Sequence, residues 1–390
     1  MICVAGDIIR TSTVEVAMRR TPRHLFLPGV GHACADEAVF TKTDAHGTSI
    51  SAASQPRIVA MMLEQLAVRP GQRVMEVGAG TGYNAALLAA IVGDAGRVVT
   101  IDVDEDLVEK ARKHLAAADV TNVDVVHGDG ALGYAKGAPY DRIIASVGAY
   151  ETPTAWLEQL TPGGRLVVPL RLRGAASRSI IFERSDGGWR DQGSELAVFT
   201  PLRGIGDDAR RLVSLTPEQD VILQMHNDQD VDAAALAGVL ETERRKIWTD
   251  VFFPPMVPYE WMDLWLACRL DNAIMRMNVQ PTAVERGVVT PMFGWGAMAT
   301  TRGADLAYLT TRPTPARPDG SRLYEVGVIG HGPSGWDLAH HVNEEIRTWS
   351  ATYRSRTVRF EIPDAPVEAD PSVGRFVLAR RHHPIAVTWQ

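Results

Sequence analysis

The chain has 390 residues, of which 45% are hydrophobic, and a formal net charge of −7, so it can bury a full core in two or three domains. The acidic balance, without a lysine- and arginine-rich stripe, argues against a nucleic-acid partner, because duplex binding depends on neutralising phosphates. No apolar run approaches the roughly 18 residues of a membrane span, and residues 1–10 lack a signal-peptide pattern, so we expect a cytoplasmic location.

The first predicted elements lie before residue 70. A short helical stretch and a proline-containing loop at residues 21–31 precede a polar loop at residues 41–47. A helix is then predicted over residues 56–66, where Pro56 suits a first turn and apolar residues recur at helical spacing. Ser54 and Gln55 come directly before it.

From residue 71 to about 205, short apolar runs alternate with helical segments. The runs are rich in valine and isoleucine and nearly continuous, as expected of parallel strands buried on both faces; they read RVMEV, RVVTID, DVVHGD, DRIIAS and GRLVVPL. Between them, residues 84–92 and the segment around Leu107, Ala111 and Leu115 have helical spacing. This alternation predicts an α/β fold with a doubly wound sheet.

The pattern changes near residue 207, and we therefore predict two domains, residues 1–206 and residues 207–390. An acidic stretch over residues 215–247 is predicted to be helical. After a proline- and aromatic-rich segment come strand-like runs ADLAYLTT and LYEVGVIG, a helix over residues 334–353, and strands in TVRFEI and RFVLARRHHPIAVTW. These elements predict a mixed α+β domain.

Cysteine and histidine usage gives no sign of a disulfide framework or a metal site. Cys3, Cys34 and Cys268 lie far apart and form no CxxC pair. The two histidine pairs, at residues 340–341 and 382–383, lack the spacing that lets two helical imidazoles share one metal. We therefore predict three reduced thiols and no catalytic metal.

A glycine loop follows the first strand of the predicted sheet. Residues 76–82, EVGAGTG, lead from that strand into a helix, and glycines there allow a tight turn and close approach to a ligand. The dinucleotide fingerprint requires glycine three residues after Gly80, and that position is Tyr83. The spacing therefore argues against NAD or FAD.

Two further strand ends carry acidic residues. Asp102 ends the second strand, 24 residues after Gly78, where a carboxylate can accept hydrogen bonds from both hydroxyls of a ribose. Asp129 and Gly130 end the next strand, near where an adenine amino group would lie. Ligands of open α/β sheets bind at these ends, so three such elements together favour a ligand site over generic turns.

These motifs carry a resemblance to a known family. VMEVGAGTGYNAALLA, VDVVHGDG, APYDRIIASVGA and LEQLTPGGRLVVPL resemble the protein-L-isoaspartate O-methyltransferase family, and AMRRTPRHLFLPG and SQPRIVAMML are similar to its N-terminal signatures. The match covers about residues 10–205. It implies a Rossmann-like methyltransferase sheet and S-adenosylmethionine as methyl donor, with cofactor-binding residues Glu76, Gly78, Gly80, Gly82, Asp102, Asp129 and Gly130.

The resemblance also implies an acceptor site. Ser54 would hydrogen-bond the acceptor carboxylate as the catalytic residue, and Gln55, Thr200 and Pro201 would contact the substrate beside it. A structural alternative for Ser54 is a cap of the helix that begins at Pro56. A carboxylate is already ionised at neutral pH, so positioning rather than a general base must dominate the chemistry.

Two departures from the family pattern bear on the substrate. Ala52 and Ala53 stand where repair enzymes of the family carry Thr-Ile, and residues 207–390 extend well beyond such enzymes. Extended proteins of this kind resemble the branch associated with ribosomally made peptides such as lanthipeptides. That resemblance implies methylation of a normal aspartate in a modified precursor peptide, followed by aspartimide and isoaspartate formation.

Alternatives to this specific function remain open. The chain could be a general isoaspartyl repair methyltransferase, or a catalytically silent peptide-binding module. The tryptophans of the second domain favour recognition of one peptide partner, although ordinary core packing would also explain them; they are Trp248, Trp261, Trp265, Trp295, Trp336 and Trp349.

Overall fold

A computed structural model describes residues 8–44, 49–205, 210–316 and 320–390, so Cys3 lies outside the described residues. The first half of the chain forms a hairpin, helices and most of one large sheet. Its elements are α1 Ser12–Arg20, β1 Val39–Thr43, β2 Ser49–Ala53, α2 Pro56–Leu66, β3 Arg73–Val77, α3 Tyr83–Val92, β4 Arg97–Asp102, α4 Glu105–Ala117, β5 Val123–His127, β6 Tyr140–Ala145, α5 Thr154–Glu158, β7 Leu160–Arg173, β8 Ala176–Ser185 and β9 Gly188–Leu196.

The first sheet is a parallel sheet extended by antiparallel strands. In space its strands run β5, β4, β3, β6, β7, β8, β9. The pairs from β5 through β7 are parallel, whereas β7 with β8 and β8 with β9 are antiparallel. The ends of β3 and β4 are neighbours, because Val77 is in register with Ile101. This arrangement brings the glycine loop beside Asp102.

Burial explains why the strand runs are so apolar. In β3, Val74, Met75, Glu76 and Val77 are all buried, because helices cover both faces of the sheet. Helix α3 is apolar all round and buried for the same reason. The predicted doubly wound α/β fold is confirmed, and α2 has the predicted bounds.

The second half adds another sheet and returns to the first. Its elements are β10 Arg211–Ser214, β11 Val221–Met225, β12 Arg245–Phe253, α6 Glu260–Arg269, β13 Met275–Val279, α7 Pro281–Glu285, β14 Gly296–Arg302, β15 Asp305–Pro313, β16 Tyr324–His331, α8 Gly335–Thr348, β17 Val358–Pro363, β18 Arg375–Leu378 and β19 Ile385–Trp389. The second sheet is antiparallel, in the order β10, β11, β13, β14, β15, β16, β12, and α8 packs against its last strands.

The prediction of a helix over residues 215–247 is wrong. The segment holds β11, turns, a 3-10 turn at Val239–Glu241 and the start of β12. In β11 buried and half-buried residues alternate, which is the period of a strand with one face on the core. The many acidic residues, which suggested a solvated helix, lie mostly in the turns between the strands.

The last strands belong to the first sheet and not to the second. Strand β17 pairs with β9, with Glu361 opposite Arg190, and β19 and β18 continue beyond it. The domain boundary at residue 206 stays a prediction, but strands β17 to β19 lie after that residue and still belong to the sheet of the first half. Pairing with β9 completes a sheet edge that the first half leaves open.

Helix α6 and the last strands fill the space between the two sheets. Trp265 of α6 stacks on Tyr353 at 4.2 Å between ring centroids and meets Trp389 edge-on at 5.3 Å. Its indole Nε1 donates to Glu345 of α8, which also pairs with Arg269. One hydrophobic cluster therefore includes residues from both halves of the chain. In the part of the chain that is described, no helix is long and apolar enough to cross a membrane.

Candidate active site

The glycine loop after β3 leaves an open surface at the end of the sheet. Gly78 has φ +98°, and a Cβ there would lie 2.8 Å from Val147 Cγ1. Gly80 has φ +49°, and a Cβ there would meet no heavy atom within 4 Å. Gly80 therefore faces free space, whereas Gly82 begins α3 against Ala111 of α4. Any side chain at Gly78 would require both strain and movement of Val147.

Asp102 lies directly beside this loop. Its Oδ2 accepts a hydrogen bond of 3.0 Å from the Gly80 N–H, and its Oδ1 accepts one of 3.1 Å from the Asp104 N–H. Burial raises the pKa of Asp102, and the two backbone N–H groups oppose that rise. The carboxylate is thus fixed, with lone pairs left for a ligand.

A cavity of about 360 Å³ opens at these strand ends. Its apolar walls include Val77, Ile101 and Leu107, and its polar lining includes Asp102 and Ser54. The predicted residues that line it are Ser54, Gln55, Gly78, Gly80, Asp102, Gly130, Thr200 and Pro201. The fold therefore brings most of the predicted donor and acceptor residues to one place, whereas Glu76, Gly82 and Asp129 are not part of this lining.

Glu76 lies below the loop, lining a smaller adjoining cavity. Its carboxylate accepts hydrogen bonds of 2.7 Å each from Asn84 Nδ2, Ser146 Oγ and Thr100 Oγ1. Burial raises its pKa to about 6, although these three donors favour the ionised form. Glu76 ties β3, β4 and α3 together beneath the glycine loop.

Asp129 fixes a loop beside the cavity. Its Oδ1 accepts from the Ala131 N–H at 2.9 Å and its Oδ2 from the Ile205 N–H at 2.7 Å. Gly130, the next residue, lines the cavity itself. The carboxylate thus joins the end of β5 to the segment near residue 205, and its predicted contact with adenine remains a prediction.

The acceptor side of the cavity is formed by β2 and the start of α2. Ala52 and Ser54 line the cavity. The cap interpretation of Ser54 is wrong, because Gln55 is the N-cap of α2 and no side chain makes the capping bond. Among the described residues, we find no hydrogen bond of the Ser54 hydroxyl. It is therefore available to a ligand.

Arg23 fixes this acceptor segment from below. Its buried guanidinium donates to the carbonyl oxygens of Ala53 and Ser54 at 3.1 and 2.9 Å, and to those of Ala33, Ala35 and Glu37. A guanidinium can serve several carbonyls because its donors are arranged as a rigid fork. Sequence reasoning missed Arg23, which stands in the motif AMRRTPRHLFLPG.

Residues 199–203 form the opposite wall. The Thr200 carbonyl accepts from the Gly148 N–H at 2.8 Å, and the Leu202 N–H donates to the Gly148 carbonyl at 2.7 Å. The segment is therefore held like a short strand, with Thr200 and Pro201 lining the cavity. Their predicted contact with substrate remains a prediction.

An ion network at the cavity mouth was also missed. Asp104 pairs with Arg203, which lines the cavity, and with Lys42 Nζ at 3.0 Å. The Arg203 guanidinium beside Asp104 lowers the pKa of that carboxyl. The network joins the β1–β2 hairpin, the end of β4 and residues 199–203. Its only sequence signal was the second acid of Asp102-Val103-Asp104.

These features fit a nucleoside-bearing methyl donor. Asp102 is a fixed carboxylate in the cavity lining, the open face of Gly80 leaves room for close approach, and Ile101 and Leu107 are apolar lining side chains; the contact of Asp102 with a ribose stays a prediction. In the described residues, no group of three or more histidine, cysteine, aspartate or glutamate side chains could hold a metal ion.

Comparison with known proteins gives the same picture for the first half of the chain. A family model described as protein-L-isoaspartate(D-aspartate) O-methyltransferase matches residues 4–205. Protein-L-isoaspartate O-methyltransferase of Methanothrix thermoacetophila is 40% identical over 191 residues, which are 49% of this chain and 88% of that protein. Protein-L-isoaspartate O-methyltransferase 2 of Archaeoglobus fulgidus is 41% identical over 195 residues, 49% of this chain and 85% of the relative.

A solved structure of a protein-L-isoaspartate O-methyltransferase aligns with 90% of this chain and 92% of its own, at 20% identity and a TM-score of 0.48. The fold and the strand-end site define an S-adenosylmethionine-dependent methyltransferase. Within that class, the chain belongs to the protein-L-isoaspartate(D-aspartate) O-methyltransferase family. It is an enzyme that methylates carboxyl groups of proteins or peptides.

Proposed function

We propose that this enzyme esterifies the side-chain carboxylate of a normal aspartate in a constrained, modified peptide, whose neighbouring segment contacts the second sheet. The ester then closes to a succinimide, which hydrolyses to aspartate or isoaspartate. The following backbone nitrogen attacks the ester carbonyl, a C–N bond forms, and methoxide leaves and takes up the amide proton as methanol. A carboxylate would have to expel the far poorer leaving group hydroxide, so the ester closes the ring without further catalysis. The remaining roles of the chain are binding and positioning.

One observation carries this proposal: the acceptor cavity leads toward the second sheet. Val198, Phe199, Pro201 and Arg210 line both the main cavity and a smaller cavity of about 70 Å³. The other walls of the smaller cavity include Gln224 of β11, His226 and Arg276 of β13. A peptide that leaves the acceptor site on this side would contact the second sheet.

The lining of the acceptor site is compatible with a constrained substrate. Ala52 and Ala53 present only methyl groups beside Ser54, so little side-chain volume occupies this part of the site. A rigid ring presents its carboxylate without the ordering entropy that a flexible chain loses on binding. In this proposal the Ser54 hydroxyl donates a hydrogen bond to the acceptor carboxylate, and Arg23 holds the backbone of Ser54 in place.

General repair of isoaspartyl residues is the second candidate. Family membership and the names of the relatives favour it, since both relatives are described as protein-L-isoaspartate O-methyltransferases. It would require an acceptor site that tolerates unrelated neighbouring residues. A catalytically silent peptide-binding module is disfavoured by the intact donor cavity.

The deciding experiment uses purified protein, labelled donor and four peptides of one sequence. The acceptor is aspartate or isoaspartate, and each is supplied in linear and cyclised form. We expect the cyclised aspartyl peptide to be methylated most efficiently. A further set of linear isoaspartyl peptides of unrelated sequence tests the second candidate: if these are methylated efficiently and both aspartyl peptides are ignored, the enzyme is a general repair methyltransferase. If calorimetry detects no binding of the donor to the protein, the hypothesis of a catalytically silent peptide-binding module is favoured instead.

A further inference from the structure

A second and larger cavity lies between the two halves of the chain. Its volume is about 590 Å³, and one wall includes Ala175, Ser177 and Val198 from the first half. The facing wall comes from residues 254–260, α6, and the ends of β13 and β14. We call it the aromatic cavity, after its side chains Tyr259, Phe293 and Trp295.

The aromatic side chains form one continuous surface. Phe293 stacks on Trp295 with 5.1 Å between ring centroids, and Tyr259 meets Phe293 edge-on at 5.6 Å. Trp295 nevertheless remains 40% exposed. Ring faces and edges of this kind accept a further aromatic ring in stacked or edge-on geometry.

The rim of the cavity is unusually apolar for an exposed surface. Met256 is 99% exposed, and Val257, Leu196 and Val198 are exposed too. All four line the aromatic cavity. Exposed apolar side chains scattered singly need no explanation, but a contiguous group around a cavity marks an interaction site. Methionine suits such a rim because its flexible side chain adapts to different partners.

The charged side chains in the walls are balanced. Arg178 pairs with Glu260 at 2.7 Å and lies over the Trp261 ring, while Arg276 lies over the Trp295 ring at 4.8 Å. Asp263, close to Arg276, supplies the remaining carboxyl. Glu260 pairs with Arg178, the rings of Trp261 and Trp295 lie under the two guanidinium groups, and burial raises the pKa of Asp263 to about 7. The described lining therefore favours an uncharged occupant over a lysine or glutamate side chain.

The aromatic cavity continues from the acceptor site. It shares Ala175, Ser177, Val198 and Arg276 with the small cavity, which in turn shares Val198, Phe199 and Arg210 with the acceptor cavity. A peptide whose carboxylate is at Ser54 can thus place a nearby side chain in the aromatic cavity.

We infer that the aromatic cavity binds an uncharged aromatic side chain of the peptide substrate, a few residues from the methylated carboxylate. This inference rests on the proposed function in one respect, that the occupant belongs to the methylated peptide. It makes the second sheet and α6 a specificity site, distinct from the residues that touch the acceptor carboxylate and the donor.

Direct binding tests the site without requiring methylation. The parent is a fluorescently labelled peptide with alanine in place of the acceptor residue and serine at the positions around it. Each test peptide replaces one of these serines by tryptophan. We expect tryptophan at one or two adjacent positions to tighten binding to the full-length protein about tenfold, as a buried aromatic anchor does. Trp295→Ala should abolish that gain, whereas Trp336→Ala, outside the cavity, should retain it. No gain at any position, or a gain that survives Trp295→Ala, overturns the inference.

Methylation of the same series with the acceptor restored separates the two proposals. We expect the favoured tryptophan to lower KM about tenfold with little change in kcat, and Trp295→Ala to raise KM for that peptide alone. If no peptide is methylated while the binding preference stands, the proposed function fails and the aromatic site stands. If Trp295→Ala instead converts a dimer to a monomer, a second copy of the chain is the occupant and the inference is wrong.

Discussion

Asp102 connects the glycine loop to the predicted ribose site. Asp102→Ala removes a fixed, charged hydrogen-bond acceptor, and we expect donor affinity to fall by about 1.5–3 kcal/mol. Calorimetric titration with S-adenosylmethionine measures this, and thermal unfolding shows whether the fold survives. Asp106→Ala is the control, because Asp106 is an exposed partner of Lys42 outside the cavity lining. Unchanged donor affinity in a folded Asp102→Ala protein would remove Asp102 from the donor site.

Ser54 is the residue proposed to touch the acceptor alone. Ser54→Ala should therefore lower kcat by roughly ten- to a hundredfold, the equivalent of one hydrogen bond to a charged group, with donor affinity unchanged. Steady-state kinetics with a methylated peptide and calorimetry with the donor give the two quantities. Since the hydroxyl does not cap α2, wild-type turnover in this variant would leave Ser54 without a role in the reaction.

Glu76 makes stability depend on pH in a defined direction. Burial raises its pKa from 4.5 to about 6. Between pH 4.5 and 6, the Glu76 carboxyl is therefore mostly protonated in the folded state and mostly ionised in the unfolded state. The resulting contribution to the free energy of unfolding, about 2 kcal/mol, is fully present below about pH 4.5 and is lost as the pH rises through 6. The stability advantage of the wild type over Glu76→Gln should shrink by that amount between pH 4.5 and 7. A pH-independent difference in denaturant unfolding would contradict it.

At the scale of single residues, sequence reasoning found the side chains that follow strands and missed those that reach across the fold. Gly80, Asp102 and Ser54 were predictable because each occupies a fixed place in a local motif. Arg23 was not, since its partners lie 10 to 31 residues away in loops whose course the sequence does not specify. Arg203 and Lys42 meet Asp104 only through tertiary packing.

Among the elements, the loop from β2 to α2 depends on one arginine. Arg23→Met keeps the length of the side chain but leaves the carbonyls of Ala53 and Ser54 without their donor. We expect a loss of about 2–4 kcal/mol in stability and a lower kcat, with donor affinity nearly unchanged. Denaturant unfolding, kinetics and calorimetry check these three effects.

Arg19→Met is the matched control on α1, because within the described ranges the Arg19 side chain makes only an exposed pair with Glu15, which should contribute little. Arg23→Lys should restore part of the turnover if positioning is the role of Arg23. Equal kcat in Arg23→Met and Arg19→Met would show that the loop keeps its place without the guanidinium.

Elements with a strong period were predictable, and those with mixed signals were not. β3, β4 and α2 have the predicted positions because each has one clear periodicity and a clear boundary. Residues 215–247 have short apolar runs among acidic turns, and local charge composition suggested a helix. Pairing with β10 and β13 decides that β11 is a strand.

For the whole molecule, the return of the chain to the first sheet changes what truncation should do. A chain ending at Ile205 retains the predicted donor-binding residues, but it loses Arg210 of the cavity lining, β17, which pairs with β9, and the core partners Phe360 and Trp389. We expect it to unfold at a lower temperature than the full chain and to bind a dye specific for exposed apolar surface. Calorimetry of both chains tests this; equal unfolding temperatures would show that the first half is independently stable.

The order of strands in the first half was predictable at the level of fold class, because alternating strands and helices allow few connections. The place of β17 to β19 was not. Their apolar pattern fits either sheet, and only the open edge of β9 selects between them. The aromatic cavity could not be predicted either, because its walls come from segments that are distant in sequence.

The pairing of β17 with β9 also concerns how the chain is made. The Phe360 N–H donates to Asp191 across 169 residues of sequence. At the usual rate of synthesis, β9 would emerge on the order of ten to thirty seconds before its partner. During that interval its edge is exposed to other nascent chains, and the charges of Arg190, Asp191 and Glu195 oppose strand addition there. Ribosome stalling before residue 358 would prolong this interval and favour aggregation.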